Sequence, residues 1–403
     1  MTDQRSTLSF LRDLIAFPTV SRDPNRALIE YCADYLRSIG AVVEIIAADS
    51  GNKANLYATI GSNMVPGVML SGHTDVVPVD GQLWTKPPFE AVVESGRVYG
   101  RGTADMKGFV AAALSCAGIA AQRHLQTPLQ TPLHLALSYD EEIGCVGVRS
   151  LIDMLAAAPV KPAMCIVGEP TAMAIATGHK GKTAIEAACV GSAAHSALAP
   201  QAVNSIHLAC DLIAQIRHLQ DDMITDGAQD SAYDIPYTTL HAGLITSGVA
   251  LNIVPDHAVV TFEIRNLAAD DPEEILRRLR RAIAPVIAVA RKRAAEADIV
   301  FKVINNYPGL ETSLDEAVVA MVAELTGRDE RIKVAFGTEG GLFSQRLGIP
   351  AVVCGPGSME QGHKADEFVT LAQLDSCDAM LASLVDRLAT GLNSYGPESL
   401  IDG

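Results

Sequence analysis

Short apolar runs of strand length alternate with stretches of helical periodicity along this 403-residue chain. "ANLYATIG" and "PGVMLSG" precede "MKGFVAAALSCAGIAAQRH", and "LHLALSYD", "VRSLIDMLAAA" and "AMCIVGEP" follow in turn. Such an order predicts an α/β fold, a mixed, mainly parallel sheet flanked by helices. From about Gly181 the texture changes. "GKTAIEAACVG", "YTTLHAGLITSG" and "DHAVVTFEIRN" read as strands, "NSIHLACDLIAQIRHLQDD" and "DPEEILRRLRRAIAPVIAVARKRAA" as amphipathic helices. They predict an α+β domain over 181–295, inserted between the 1–180 and 296–403 portions of the larger domain. The length, beyond the roughly 100–200 residues of one domain, agrees with two.

Composition narrows the function. A formal net charge of −16 argues against nucleic acid or an anionic membrane as partner, since both demand Lys/Arg surfaces. The opening "MTDQRSTLSFLRDLIAFPTVSR" lacks a basic region followed by an unbroken apolar run, and no stretch of about 18 apolar residues suggests a membrane span. A cytoplasmic protein acting on small molecules is expected. The eight cysteines are scattered without a C-x-x-C pair and read as reduced core residues. Cys145, beside an acidic run, has nothing nearby in the sequence that would lower its pKa for nucleophilic work.

In open α/β sheets ligands bind beyond the carboxyl ends of the strands, so polar residues just after apolar runs are the candidates. "VMLSGHTD" ends at His73 and Asp75, "GRGTADMKG" places Asp105 at a helix start, and "LALSYDEE" delivers Glu141 and Glu142. "MCIVGEP" supplies Glu169 and "AVVCGPGSMEQGH" leads to His363. Each alone has a plain structural reading: Asp105 as a helix cap, Glu169 as a turn residue, the histidines as hydrogen-bonded loop residues. Three successive acids, Asp140, Glu141 and Glu142, are either a solvated turn or part of a site that holds a cation, because neighbouring carboxylates resist ionising together.

Taken jointly, two histidines and four carboxylates at strand ends suit zinc or a similar divalent metal. Two ions about 3.5–4 Å apart would share one carboxylate. Three ligating carboxylates offset most of the charge of two such ions and leave the fourth free to act as a base. Glu141 and Glu142 can then differ in role, since successive extended residues point opposite ways.

In order and context, "SGHTDVVPVDGQLW", "GRGTADMKG", "DEEIG", "GEPT" and "GPGSMEQGHKADEF" resemble the motifs of the di-zinc deacylases and peptidases, the family of acetylornithine deacetylase and succinyl-diaminopimelate desuccinylase. The resemblance covers nearly the whole chain, and "NYPGLET" with the "GTEGG" to "DEFV" stretch is most similar to the acetylornithine deacetylase branch. It implies a zinc-peptidase-like catalytic domain with an inserted lid and dimerisation domain. It also implies two divalent ions per subunit, zinc or cobalt in its place. His73 and Glu169 would hold one, Glu142 and His363 the other, with Asp105 bridging. Glu141 would be the general acid/base and Asp75 the carboxylate that orients His73.

The resemblance further implies a homodimer through the inserted domain. It gives His195 in "GSAAHSALAP" as the residue that stabilises the oxyanion, and Arg265 and Asn252 as holders of a substrate carboxylate. Independently, so acidic a protein needs a local guanidinium fork to bind an anion. Gly337, Thr338 and Gly340 in "FGTEGG" are expected near that carboxylate. The expected substrate is an N-acyl amino acid, N2-acetyl-L-ornithine first among succinyl-diaminopimelate, other acyl amino acids and dipeptides. One departure stands out: "LWTKPPFE" has Lys86 and Pro87 where the relatives carry an acidic residue before a single Pro-Phe. A dehydrogenase is disfavoured because Asp105 replaces the third glycine of the dinucleotide fingerprint, and a serine hydrolase because G-x-S-x-G is absent. An inactive binding homologue is disfavoured by the presence of Glu141 and every inferred ligand.

Overall fold

The computed structural model describes residues 5–392. Within them the chain forms two compact units. One is built from the chain up to Gly178, from Leu310–Lys333 and from Thr338 onward; the other comprises His179–Gly309 and Val334–Gly337.

In the first unit, four parallel strands form the middle of a nine-stranded sheet: Leu133–Ser138, Val68–His73, Met164–Val167 and Ala351–Val353. Every residue of these four strands is buried, which is why their sequences are nearly continuous apolar runs rather than alternating ones. The expected parallel order holds for these strands, whereas Val42–Ala47, Ala54–Ile60 and Ile175–His179 join antiparallel on either side. The helix Lys107–Gln126 is buried along most of its length, and its Ala- and Gly-rich sequence lets it pack closely against Thr7–Ile15 and Leu371–Thr390. The last of these is capped by Thr370, whose hydroxyl accepts the Gln373 N–H.

In the second unit, a four-stranded antiparallel sheet runs in the order Thr239–Ser247, His257–Arg265, Lys182–Val190, Asp298–Tyr307. Lys182–Val190 alternates buried and half-buried residues, so one face carries the core. That core includes apolar residues of the helices Ser205–Thr225 and Pro272–Ala290. The latter starts as its sequence dictates, with Asp271 accepting the Glu273 N–H, Pro272 in the first turn and two further acids there. The far boundary differs from the expected 295: Asp298–Tyr307 pairs along Lys182–Val190, which carries this unit to Gly309. Among the described residues no helix is long and apolar enough to cross a membrane. All eight cysteines are free, and only Cys210 is exposed.

Candidate metal centre

Strand ends assemble the centre in the first unit. His73 is the last residue of Val68–His73, the neighbouring Leu133–Ser138 leads into the turn with Asp140, Glu141 and Glu142, and Met164–Val167 ends two residues before Glu169. Asp105 lies two residues before the helix Lys107–Gln126, whose N-cap is Met106, and His363 comes from the loop after Ala351–Val353. The approach of Glu169 is sterically specified by Gly168, where a Cβ would stand 1.9 Å from ring carbons of Phe109.

The three successive acids separate into a turn and a site. Asp140, at φ +53°, directs its carboxylate away to Lys53 Nζ at 2.6 and 2.7 Å and accepts the Arg22 N–H at 2.8 Å. Glu141 and Glu142 donate their backbone N–H groups to the Asp75 carboxylate at 3.0 and 3.3 Å. Asp75 thus has a wider task than the one expected of it. The closer partner of His73 Nδ1 is the Asp75 main-chain carbonyl at 2.9 Å, with the carboxylate at 3.4 Å. That carboxylate also accepts from Ser21 Oγ at 2.7 Å.

Two acceptors at Nδ1 place the His73 proton there and turn Nε2 toward Asp105 Oδ1 at 3.0 Å and Glu169 Oε1 at 3.6 Å. His363 Nε2 lies 3.0 Å from Asp105 Oδ2 and 3.0 Å from Glu142 Oε2. Asp105 therefore offers one oxygen to each imidazole. Ligand atoms of His73, Asp105 and Glu142, and likewise those of His73, Glu141 and Glu169, lie within 4.8 Å of one another.

The electrostatics describe a centre short of positive charge. Burial, then the charge of Asp105, pushes the Glu142 carboxyl up to about 7. Burial pushes Glu141 and Glu169 well above the usual carboxylate range, helped by the neighbouring acids. Burial would raise Asp105 as well, but hydrogen bonds with His363 and His73 hold it below that range. Hydrogen bonds to Asp105 and Glu142 push His363 up to about 10. Imidazole nitrogens wedged between carboxylate oxygens, with one carboxylate shared, are donors of the kind that suit divalent cations.

Burial raises the Cys145 thiol well above its ordinary value, and its Sγ donates to Glu141 Oε1 at 3.3 Å. Thr338 is buried, with its hydroxyl accepting the N–H of Gly340, the first residue of the helix Gly340–Leu347. The other expected site residues belong to the second unit. His195 is exposed and pairs with Ile253 in a two-residue ladder, and the Asn252 carbonyl accepts the Ser196 N–H at 3.0 Å, so these two lie together. Arg265 is half-buried, donating to Glu263 at 3.0 Å and to the Tyr307 hydroxyl at 3.1 Å. Gly337 abuts the same tyrosine, since a Cβ there would stand 2.2 Å from its ring.

Lys53, Gln82, Arg101 and Glu367 carry no expected role in the sequence. Glu367 accepts Arg101 Nη1 at 2.6 Å and the N–H groups of Ala104 and Asp105 at 2.9 and 3.1 Å. Its only signal in the sequence was its place in the "HKADEF" motif.

Paired imidazoles among buried carboxylates at the ends of parallel strands define a metal-dependent hydrolase. The chain belongs to peptidase family M20/M25/M40, which it matches over residues 69–387. It is 34% identical over 397 residues to an acetylornithine deacetylase of Pasteurella multocida, covering 96% of this chain and 99% of that one. A second acetylornithine deacetylase, from Proteus mirabilis, is 33% identical over 388 residues, with coverage of 94% and 96%. Among solved structures, an M20 family metallo-carboxypeptidase of Sulfolobus solfataricus shares the fold at a TM-score of 0.77 and 20% identity, over 96% of this chain and all of that one. A dinuclear metal-binding M20 peptidase of Bacillus subtilis does so at 0.66 and 17%, over 94% and 96%.

Proposed function

We propose that this protein hydrolyses the amide of N2-acetyl-L-ornithine to L-ornithine and acetate, a step of arginine biosynthesis in the cytoplasm. The observation that carries this reading is the near end-to-end similarity to acetylornithine deacetylases, supported by the convergence of His73, Asp105, Glu142, Glu169 and His363 in one place. His73 and Glu169 would hold one ion and Glu142 and His363 the other, with Asp105 shared, zinc being the ion this donor chemistry favours. When bound, two divalent ions supply polarisation of the amide carbonyl and acidify the attacking water.

The protein's own groups do the rest. Glu141, withdrawn from water and held by its backbone to Asp75, accepts the proton of the attacking water and returns it to the leaving amine nitrogen. Asp75 fixes the His73 tautomer and the turn that presents Glu141 and Glu142. His195 stabilises the oxyanion, and Arg265, Asn252, Gly337, Thr338 and Gly340 receive the substrate carboxylate. The second unit acts as lid and homodimer contact. Support for the dimer comes from its sheet edge Thr239–Ser247 and the loop after it, where Leu244, Val249 and Leu251 are all exposed.

The deciding experiment compares kcat/KM for N2-acetyl-L-ornithine, N-succinyl-diaminopimelate and N-acetyl-methionine with the zinc- or cobalt-loaded protein. Acetyl-ornithine is expected to lead by at least about 10-fold, the size of discrimination that acyl and side-chain pockets supply. A lead by either other substrate would reassign the protein within the family, and no hydrolysis by the loaded protein would favour the inactive homologue.

A further inference from the structure

Among the five proposed ligands, His363 stands apart. Its side chain is 44% exposed against 1–7% for His73, Asp105, Glu142 and Glu169, and it sits on a loop in left-handed backbone (φ +61°). A non-glycine residue keeps that conformation only where its surroundings impose it. Those surroundings come from 281 positions earlier in the chain, in the segment Gln82–Lys86.

The Gln82 amide oxygen accepts Arg101 Nη2 at 2.5 Å and Trp84 Nε1 at 3.0 Å. Two donors on the oxygen fix the amide's orientation and send its nitrogen to the His363 main-chain carbonyl at 2.9 Å. Three residues further on, Asp366, also left-handed (φ +54°), is gripped by Thr85. The Thr85 N–H donates to Oδ1 at 2.9 Å and its hydroxyl to Oδ2 at 2.7 Å. Arg101 ties this grip to the buried core through Glu367, which holds the backbone of Asp105. His73 and Glu169, by contrast, follow directly from central strands of the sheet.

We propose that Gln82 and Thr85 are positioning residues for His363, so that the segment Gln82–Lys86 sets the affinity of one ion of the pair and not of the other. The inference rests on the ligand set proposed above. Partners that orient a metal ligand, rather than bind the metal, typically govern affinity over about 10–100-fold.

The test titrates metal-free protein with cobalt(II), followed by visible absorption and calorimetry. Gln82→Glu keeps an acceptor for Arg101 and Trp84 but removes the donor to His363; Thr85→Val removes the hydroxyl grip on Asp366. Each is expected to weaken one of two binding steps by about 10–100-fold while the other moves less than about 3-fold, with the thermal midpoint of the metal-free protein unchanged. In a His363→Ala background, the remaining ion should be insensitive to Gln82→Glu. Equal weakening of both steps, or no change in either, overturns the proposal. Uptake of fewer than two ions by the unmutated protein would instead overturn the ligand set on which it stands.

Discussion

Glu141 and Glu142 adjoin in sequence and face different partners: Glu142 meets His363 at 3.0 Å, whereas Glu141 meets the Cys145 thiol at 3.3 Å. Their separation rests on Asp75, which binds both backbone N–H groups. Glu141→Gln keeps the shape and the backbone anchor and removes the basic oxygen. We expect metal content to stay near two ions per subunit by elemental analysis while kcat falls about 10²–10⁴-fold. Loss of both ions from that variant would contradict the division of roles. His134 is buried on the strand Leu133–Ser138 with Nδ1 3.0 Å from Thr59 Oγ1, and burial lowers the pKa of its imidazole to about 4. Because the folded state binds fewer protons there than the unfolded chain, stability is lost as pH falls below the ordinary value of 6.5 toward 4. Replacing His134 by Gln should remove about 1–2 kcal/mol of the stability difference between about pH 7.5 and pH 5, read by urea denaturation of metal-free protein. An unchanged pH slope would show that His134 does not carry it.

At the scale of elements, the turn after Leu133–Ser138 works because its first acid is drawn off. Lys53, at the end of the loop before Ala54–Ile60, neutralises Asp140, and both side chains are about nine-tenths buried. Lys53→Met would leave a buried carboxylate held only by the Arg22 N–H among its observed partners. A loss of about 3 kcal/mol in unfolding free energy is expected, the scale for breaking a buried pair by removing one member. A change below about 1 kcal/mol would mean that the turn relaxes and Asp140 reaches water. The sequence made the acidic run visible but not its division, because Lys53 lies 87 positions away with no periodicity linking the two. Asp298–Tyr307 falls within the portion expected of the larger domain yet pairs along Lys182–Val190, since an apolar run looks the same whichever sheet receives it.

For the whole molecule, what could be read from the sequence is what strand ends announce. His73, Glu141, Glu142 and Glu169 each follow an apolar run, and the strands that carry them are adjacent, so the residues converge. Asp105 and His363 were legible as polar residues at a helix start and after a strand, and they too arrive at the centre. The residues that hold these in place were not legible. Glu367, Arg101 and Gln82 act through main-chain atoms and through one another, and no residue type or spacing marks such work in advance. Arg265, expected to hold an anion, donates to Glu263 and to the Tyr307 hydroxyl, partners that the sequence does not announce.

In the proposed centre, five side chains from separate segments gather two divalent ions around one shared carboxylate. Anomalous diffraction at the zinc edge, from crystals of the protein grown with zinc, would locate those ions. Two peaks are expected about 3.5–4 Å apart. One should be bounded by His73, Asp105 and Glu169, and the other by His363, Asp105 and Glu142. A single peak with no shared Asp105, or no peak among these residues, would contradict it.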